Sequence, residues 1–221
     1  MRFYRTCKRV YDTKAMSCQR ALIYRIFTDG GVNNKGEGAC AAQISGSGIE
    51  RKIKILSYFL DAKPQEAELC AAIMSLSLIQ AAVCYEGSPQ PVVEIVSDSD
   101  LLCKSLPSAT ALPKNSNLRG LLRSLEIHSQ GLCVRASCIQ AHSGIHENEA
   151  CDRACRWALN KGPELLQKGH NYVGMSASGY DAWCLLDFRE IFRSLLRGEP
   201  MIGDPLAAQF MEAGLLERFA A

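Results

Sequence analysis

The chain has 221 residues, of which 48% are hydrophobic and 22% are charged, and its formal net charge at pH 7 is +2. These values exclude a largely disordered chain and are typical of a folded protein with one domain of about 150 residues plus extensions. No uninterrupted apolar run approaches the roughly 20 residues that a membrane span needs, and the first residues lack an apolar signal core, so we expect a cytoplasmic protein without a membrane partner.

Residues 1–20 form a basic segment, in which six Lys or Arg residues stand against Asp12 alone and three aromatic residues are interspersed. A nucleic-acid-binding arm, a solvated terminus and an Arg-rich transit peptide all fit this composition. The net charge of the whole chain does not decide between them.

Three β-strands are predicted next, at residues 22–27, 38–44 and 52–59. The first is an apolar run that ends in Asp29-Gly30-Gly31, and a short Asn-Asn-Lys-Gly turn leads into the second. The third alternates between apolar and lysine positions, as a half-exposed strand does. We therefore expect three antiparallel strands at the start of the fold.

Helices and strands alternate over the rest of residues 21–161. The predicted elements are a helix from Pro64 with Glu66 and Glu68 in its first turn, a strand at 92–96, a helix ending near 106, a helix at 115–127, a strand at 132–139 and a helix at 147–160. This order predicts an α/β fold with a five-stranded mixed sheet, three antiparallel strands followed by two parallel ones, flanked by helices.

A domain boundary is predicted at Gly162-Pro163. The predicted units are a basic extension (1–20), the α/β domain (21–161) and a helical C-terminal extension (162–221). Within the last unit, a loop at 169–179 precedes two amphipathic helices, one at 183–197 and one that begins at Pro205 with Asp204 as its N-cap. These helices either pack on the α/β domain or form a homodimer or protein-partner interface through 180–221.

Four acidic residues occupy four different elements: Asp29, Glu68, Asp98 and Asp152. If the first and fourth strands are parallel neighbours, Asp29 and Asp98 end at the same edge of the sheet, where functional sites of open α/β sheets lie. Carboxylates crowded there would repel one another unless cations lay between them, and oxygen ligands suit Mg²⁺. Phosphodiester hydrolysis with two metal ions fits such a site, although each acid taken alone also fits a helix cap or a solvated charge.

A zinc site is an alternative, because His142 and His146 are followed by Cys151 and Cys155 with the same three-residue spacing. Against it, Cys151 and Cys155 fit the buried side of a helix. The chain has 11 cysteines, an odd number, and no Cys-x-x-Cys motif. That usage argues against a disulfide framework and favours reduced thiols that serve as small core residues.

Four motifs resemble, in order and spacing, those of type 1 ribonuclease H. They are Thr28-Asp29-Gly30-Gly31, Glu66-Ala67-Glu68-Leu69-Cys70-Ala71-Ala72, Ser97-Asp98-Ser99 and His142-Ser143-Gly144-Ile145-His146-Glu147-Asn148-Glu149-Ala150-Cys151-Asp152. The last motif is the most specific, because it combines a histidine loop, an asparagine and a helix aspartate at fixed offsets. The resemblance covers about residues 22–160 and implies an RNase H-like fold.

The resemblance implies a catalytic set of Asp29, Glu68, Asp98, His142 and Asp152. In it the four acids bind two Mg²⁺ ions, which Mn²⁺ can replace, and His142 assists proton handling or product release. The implied reaction is endonucleolytic hydrolysis of the RNA strand of an RNA/DNA hybrid, which leaves 5′-phosphate and 3′-hydroxyl ends.

The resemblance also implies a set of substrate-binding residues: Gly30, Asn34, Gln65, Ser99 and Asn148. The Gly30 backbone would approach the RNA 2′-hydroxyls, which distinguish RNA from DNA. Two positions depart from the family pattern, because Asp100 stands where many members have Gln and Pro64 replaces a substrate-contacting Asn. The basic handle of some bacterial members and the N-terminal hybrid-binding module of many eukaryotic members have no counterpart here.

Three other readings share this fold: a binding module that has lost catalysis, a different nuclease or transposase, and a piece of a reverse-transcriptase polyprotein. The presence of all four acids argues against the first. The His-Ser-Gly loop argues against the second.

Deleting residues 1–20 tests whether the basic segment supplies phosphate contacts in place of the missing handle. We expect weaker hybrid binding and a flatter salt dependence, because each lost phosphate contact lowers the log–log slope by about 0.9. Affinity measured over a series of salt concentrations gives this slope, and an unchanged slope would refute the hypothesis.

Overall fold

The computed structural model describes residues 22–83, 90–106, 116–167, 172–174, 182–197 and 205–219. The basic segment 1–20, the predicted cap Asp204 and most of the predicted loop at 169–179 lie outside these residues. The predictions for them therefore stay predictions.

Seven strands and six α-helices are formed by the described residues. The strands are β1 (Ile23–Val32), β2 (Gly38–Gly46), β3 (Ile53–Phe59), β4 (Val92–Ser97), β5 (Cys133–Cys138), β6 (Tyr172–Gly174) and β7 (Ala182–Asp187). The helices are α1 (Pro64–Val83), α2 (Asp100–Ser105), α3 (Ser116–His128), α4 (His146–Gln167), α5 (Arg189–Arg197) and α6 (Pro205–Glu212). A short 3-10 helix, Leu216–Phe219, follows α6.

The strands form one sheet in the order β5-β4-β1-β2-β3-β7-β6. β1, β2 and β3 pair in antiparallel fashion, whereas β4 pairs in parallel with both β1 and β5. The predicted sheet of three antiparallel and two parallel strands is confirmed, and with it the parallel pairing of the first and fourth strands.

The C-terminal extension adds two further strands to this sheet, so the prediction of a purely helical extension was wrong. β7 pairs in parallel with β3, and β6 pairs in antiparallel fashion with β7. The predicted helix at 183–197 begins only at Arg189, because the preceding residues 183–186 are four consecutive buried side chains. Such a run fits a strand covered on both faces better than an amphipathic helix.

Helix α4 is longer than predicted. It continues past residue 160 to Gln167 and contains Pro163, so it does not end at the predicted boundary Gly162-Pro163.

Strand β3 also differs from its prediction, because Leu56 and Tyr58 are buried on the face expected to be exposed. α4 packs over β3, and β7 pairs along its outer edge.

The apolar core lies on both faces of the sheet. One face packs against α1, α3, α5 and α6, and the other packs against α4. The extension is part of this core: the ring of Phe192 lies 4.4 Å from that of Phe59, and the ring of Phe188 lies 6.0 Å from it, measured between centroids. The interpretation that the extension packs on the α/β domain is confirmed.

Helix α1 passes through the centre of this core. By length and composition it is apolar enough to cross a membrane, contrary to the sequence expectation. However, 83% of its most apolar 18-residue stretch is buried inside the protein, as in a core helix. Its first turn is tied down by the fully buried Glu66, whose carboxylate accepts hydrogen bonds from the Lys63 backbone N–H (3.0 Å) and the Asn117 side chain (3.3 Å). This contact fixes the start of α1 and links it to α3.

Replacing Phe192 with Ala tests whether the extension is part of the fold. The side chain is fully buried, so we expect a loss of about 3–5 kcal/mol in the free energy of unfolding, as for other buried Phe→Ala changes. Urea unfolding measures this loss. The neighbouring Arg193→Ala removes only an exposed ion pair with Glu190 and should change stability little; equal effects of the two variants would contradict a shared core.

Candidate active site

Asp29 and Asp98 both lie just beyond the last paired residues of two parallel strands. The pairing of β1 with β4 ends at Phe27 and Val96, and each aspartate follows two residues later. Beyond that point β1 continues beside β2, whereas the chain after β4 turns into α2. The place where parallel neighbours separate forms the crevice in which α/β proteins bind ligands.

Gly30 allows β1 and α1 to approach each other closely. A Cβ atom at this position would lie 2.4 Å from the carbonyl carbon of Ala67 and from the backbone nitrogen of Glu68. No other residue type fits, because real Cβ atoms do not come so close to backbone. This contact brings Glu68 next to Asp29.

Asp29, Glu68 and Asp98 form a carboxylate cluster. Each contributes an oxygen, and these oxygens all lie within 4.8 Å of one another. The Gly30 N–H donates to Asp29 Oδ1 at 2.8 Å, but Glu68 Oε2 and Asp98 Oδ1 are buried without a hydrogen-bond partner. Because a buried polar atom without a partner costs free energy, these oxygens fit a divalent cation with oxygen ligands.

The electrostatics of the cluster agree with this fit. Burial, followed by the charge of Asp98, raises the pKa of Asp29 from 3.8 to about 7. Burial, followed by the charges of Asp29 and Asp98, raises the pKa of Glu68 from 4.5 to about 9. The folded protein therefore disfavours the ionised carboxylates, and a bound cation would reverse that preference.

Helix α4 places Asp152 beside the cluster. The thiols of Cys151 and Cys155 donate to the backbone carbonyls of Phe27 and Asp29, each at 3.4 Å, which holds this helix against β1. Asp152 lies close enough for its charge to contribute to the raised pKa of Asp29. Both thiols are buried in these contacts. Among the described residues, neither belongs to a group of side chains that could hold a metal ion, so the zinc alternative gains no support.

The structure thus brings three of the four predicted metal ligands together and places the fourth next to them. The Asp152 carboxylate makes an ion pair with Arg156, one helical turn later, instead of joining the three-acid cluster. We did not anticipate Arg156 from the sequence. Its i, i+4 spacing from Asp152 was the available signal.

His142 lies in the loop before α4 and is exposed. Its backbone is left-handed, with φ of 51°, and its Nδ1 lies 3.9 Å from Glu149 Oε1. His142, Glu149 and Asp152 offer ligand atoms that all lie within 4.8 Å of one another. Glu149 was also missed by the sequence reasoning, although it stands three residues before Asp152 on the same helix face.

The predicted substrate-binding residues occupy different environments. Asn34 and Gln65 are exposed, whereas Asn148 is buried and its Oδ1 has no hydrogen-bond partner. Ser99 is the N-cap of α2, where its hydroxyl accepts a hydrogen bond from the Leu102 N–H at 3.4 Å. Contact with substrate by these residues and by Gly30 stays a prediction.

Comparison with known proteins decides the family. The model of the RNase H family matches residues 22–160, a span that contains all four acids and His142. The chain belongs to the RNase H family. This match confirms the resemblance to type 1 ribonuclease H and the assignment as a ribonuclease H enzyme, and it favours that assignment over another nuclease or a transposase of the same fold.

Solved structures agree on the fold. The N-terminal RNase H domain of Rv2228c from Mycobacterium tuberculosis, determined as a maltose-binding-protein fusion, is 14% identical with a TM-score of 0.52, and the alignment covers 66% of this chain and 99% of that one. LC11-RNase H1, determined in complex with an RNA/DNA hybrid, is 18% identical with a TM-score of 0.50, covering 62% and 99%. No curated protein sequence matches the chain significantly.

Adding Mg²⁺ to the metal-free protein should raise its stability, because cation binding relieves repulsion in the carboxylate cluster. An ion present at about 100 times its dissociation constant stabilises by roughly 2.7 kcal/mol. Asp29→Asn should raise the Tm of the metal-free protein, because it removes a disfavoured charge, and should reduce the Mg²⁺-dependent increase. Thermal unfolding with and without Mg²⁺ measures both effects.

The matched control is Asp100→Asn, which neutralises an exposed carboxylate paired with Lys104. It should keep the full Mg²⁺ response. A response lost equally in both variants would mean that the ion does not bind at the cluster.

Proposed function

We propose that this RNase H hydrolyses the RNA strand of RNA/DNA hybrids at a site that holds two divalent metal ions, leaving 5′-phosphate and 3′-hydroxyl ends. The observation that carries the proposal is the gathering of Asp29, Glu68 and Asp98 with two carboxylate oxygens buried and unpartnered. The hybrid bound to the similar LC11-RNase H1 supports the choice of substrate.

The metal ligands in this proposal are the three acids of the cluster and Asp152. Mg²⁺ fits an all-oxygen set that leaves part of the coordination sphere for substrate phosphate, and Mn²⁺ is the expected substitute. When bound, the ions would activate the attacking water and stabilise the charge that develops on the leaving 3′ oxygen. Asp152 can contribute once its carboxylate turns from Arg156 toward Asp29, whose charge it already influences.

His142 is suited to proton handling at the edge of this site. It is exposed, and Glu149 lies on the helix beneath it. An imidazole can donate or accept a proton during a reaction, so His142 can deliver a proton to a leaving group or help a product phosphate depart. Glu149, whose Oε1 lies 3.9 Å from the ring Nδ1, would orient the ring.

The substrate would lie along the edge of the sheet where β1 and β4 separate. Asn34 lies in the exposed turn after β1, and Gln65 lies in the exposed first turn of α1, two residues before the Gly30 contact at Ala67. Side chains so placed can contact the backbones of a duplex that crosses the cluster. The hybrid is distinguished from double-stranded DNA by its 2′-hydroxyls.

Cleavage of labelled substrates tests the proposal. We expect Mg²⁺- or Mn²⁺-dependent cleavage of the RNA strand of a hybrid, and little cleavage of double-stranded RNA, double-stranded DNA or single-stranded RNA. Asp29→Asn and Asp98→Asn should each reduce the rate by about 10²-fold or more, because metal-held charge contributes several kcal/mol to transition-state stabilisation.

Asp61→Asn is a suitable control, because Asp61 is exposed in the loop before α1 and belongs to neither candidate ligand group. This variant should cleave at the wild-type rate. Hybrid cleavage that persists in both Asp29→Asn and Asp98→Asn would disprove the assigned roles, and end-labelling of the products would show whether the ends are as proposed.

A further inference from the structure

Two cysteines lie outside the core and next to each other. Cys103 is on α2 and is half-buried, and Cys138 is the last residue of β5 and is exposed. Both thiols lie at the end of β4, because the Cys103 thiol contacts the Ser97 carbonyl and Cys138 pairs with Ser97 in the sheet. Neither has a part in the carboxylate site or in the packing of α4.

The chain that follows β4 brings these thiols together. Cys103 Sγ lies 3.7 Å from the carbonyl oxygen of Ser97, and Cys138 is the parallel register partner of that same residue. Cys138 Sγ also lies 3.8 Å from Asp100 Oδ1. The two sulfurs therefore flank residues 97–100, the segment that contains Asp98.

A metal site is not the best explanation of this pair. Among the described residues, neither of the two groups that could hold an ion contains Cys103 or Cys138. The structure instead brings two thiols close to the end of β4, one from α2 and one from β5, and the second is exposed to solvent.

We propose that Cys103 and Cys138 form a reversible intramolecular disulfide that fixes α2 against β5. This inference does not rest on the proposed function. The link would tie the helix that follows Asp98 to the neighbouring strand, so the oxidation state of the protein would govern the mobility of one wall of the site.

A low-molecular-weight disulfide such as oxidised glutathione supplies the oxidant. The Cys138 thiolate attacks one glutathione sulfur, the glutathione S–S bond breaks, and one glutathione leaves as a thiolate. The Cys103 sulfur then attacks Cys138 Sγ, the second glutathione leaves and takes up the proton that Cys103 loses, and the new S–S bond forms. Two protein thiols are oxidised, and one glutathione disulfide is reduced to two glutathiones.

The order of these steps follows from exposure. Burial raises the pKa of Cys103 to about 12, and the neighbouring Cys138 adds to that shift. Cys138 is the exposed member of the pair and is the one that meets the oxidant first.

Cys133 provides an internal control, because it is an exposed cysteine on the same strand. Among the described residues, no other thiol contacts it. Cys133 should form a mixed disulfide with glutathione and retain it. Cys138 should exchange its glutathione for the disulfide bond with Cys103.

The experiment incubates the full chain with oxidised glutathione, blocks the remaining thiols by alkylation and maps the peptides by mass spectrometry. We expect Cys103 and Cys138 in one linked peptide pair, returned to free thiols by dithiothreitol. In Cys103→Ser, Cys138 should instead retain glutathione. A wild-type chain in which Cys138 retains glutathione, or in which both cysteines are alkylated as readily as in the reduced protein, would overturn the proposal.

Hydrogen exchange tests the effect on α2. The amides of Asp100–Ser105 should exchange more slowly in the oxidised wild-type protein than in the reduced one, and Cys103→Ser should show no such difference. Equal exchange in the two oxidation states of a chain that has formed the link would overturn the claim that the disulfide fixes α2. Both near-isosteric Ser variants, at 103 and at 138, can be checked for folding by circular dichroism.

Discussion

The close approach of β1 and α1 at Gly30 is the constraint on which the site depends. A methyl group on the Gly30 Cα would not fit against the backbone of Ala67 and Glu68. The strand and the helix are therefore in direct backbone contact at this point. Asp29 and Glu68 are the residues next to this contact on each side. Their proximity is therefore set by backbone packing, and the repulsion between their carboxylates is tolerated because the surrounding core holds both elements in place.

That core includes residues beyond the span that the family model matches. The family match ends at residue 160, but the aromatic side chains of the extension lie against Phe59, and β7 covers the edge of β3 that would otherwise present unpaired backbone groups. An uncovered edge strand invites pairing with another chain. The extension thus pairs along the β3 edge of the sheet, and its last helices pack against α1. Its strands lie far along the sheet from the carboxylates.

Cysteine serves two different purposes in this molecule. Cys151 and Cys155 are small enough to let α4 approach β1, and their thiols satisfy two strand carbonyls beside Asp29. Cys103 and Cys138 lie at the outer side of the same site, where solvent reaches one of them. The inner pair positions an acidic helix, and the outer pair is chemically available.

The sequence by itself determined the order of the first five strands, the helices between them and the identity of the acids, because apolar periodicity, glycine placement and motif spacing are all local signals. Only the tertiary structure decided that residues 182–187 form a strand, since periodicity alone does not distinguish a short buried strand from a buried helix segment, and the pairing with β3 settles it. It also decided that Asp152 pairs with Arg156 and does not join the cluster, that Glu149 lies near His142, and that Cys103 and Cys138 come to the same end of β4. The i, i+4 spacing signals that Asp152 and Arg156 can pair, but the partner that Asp152 takes depends on its side-chain direction. The approach of the two cysteines depends on contacts between elements far apart in the chain, which no local pattern contains.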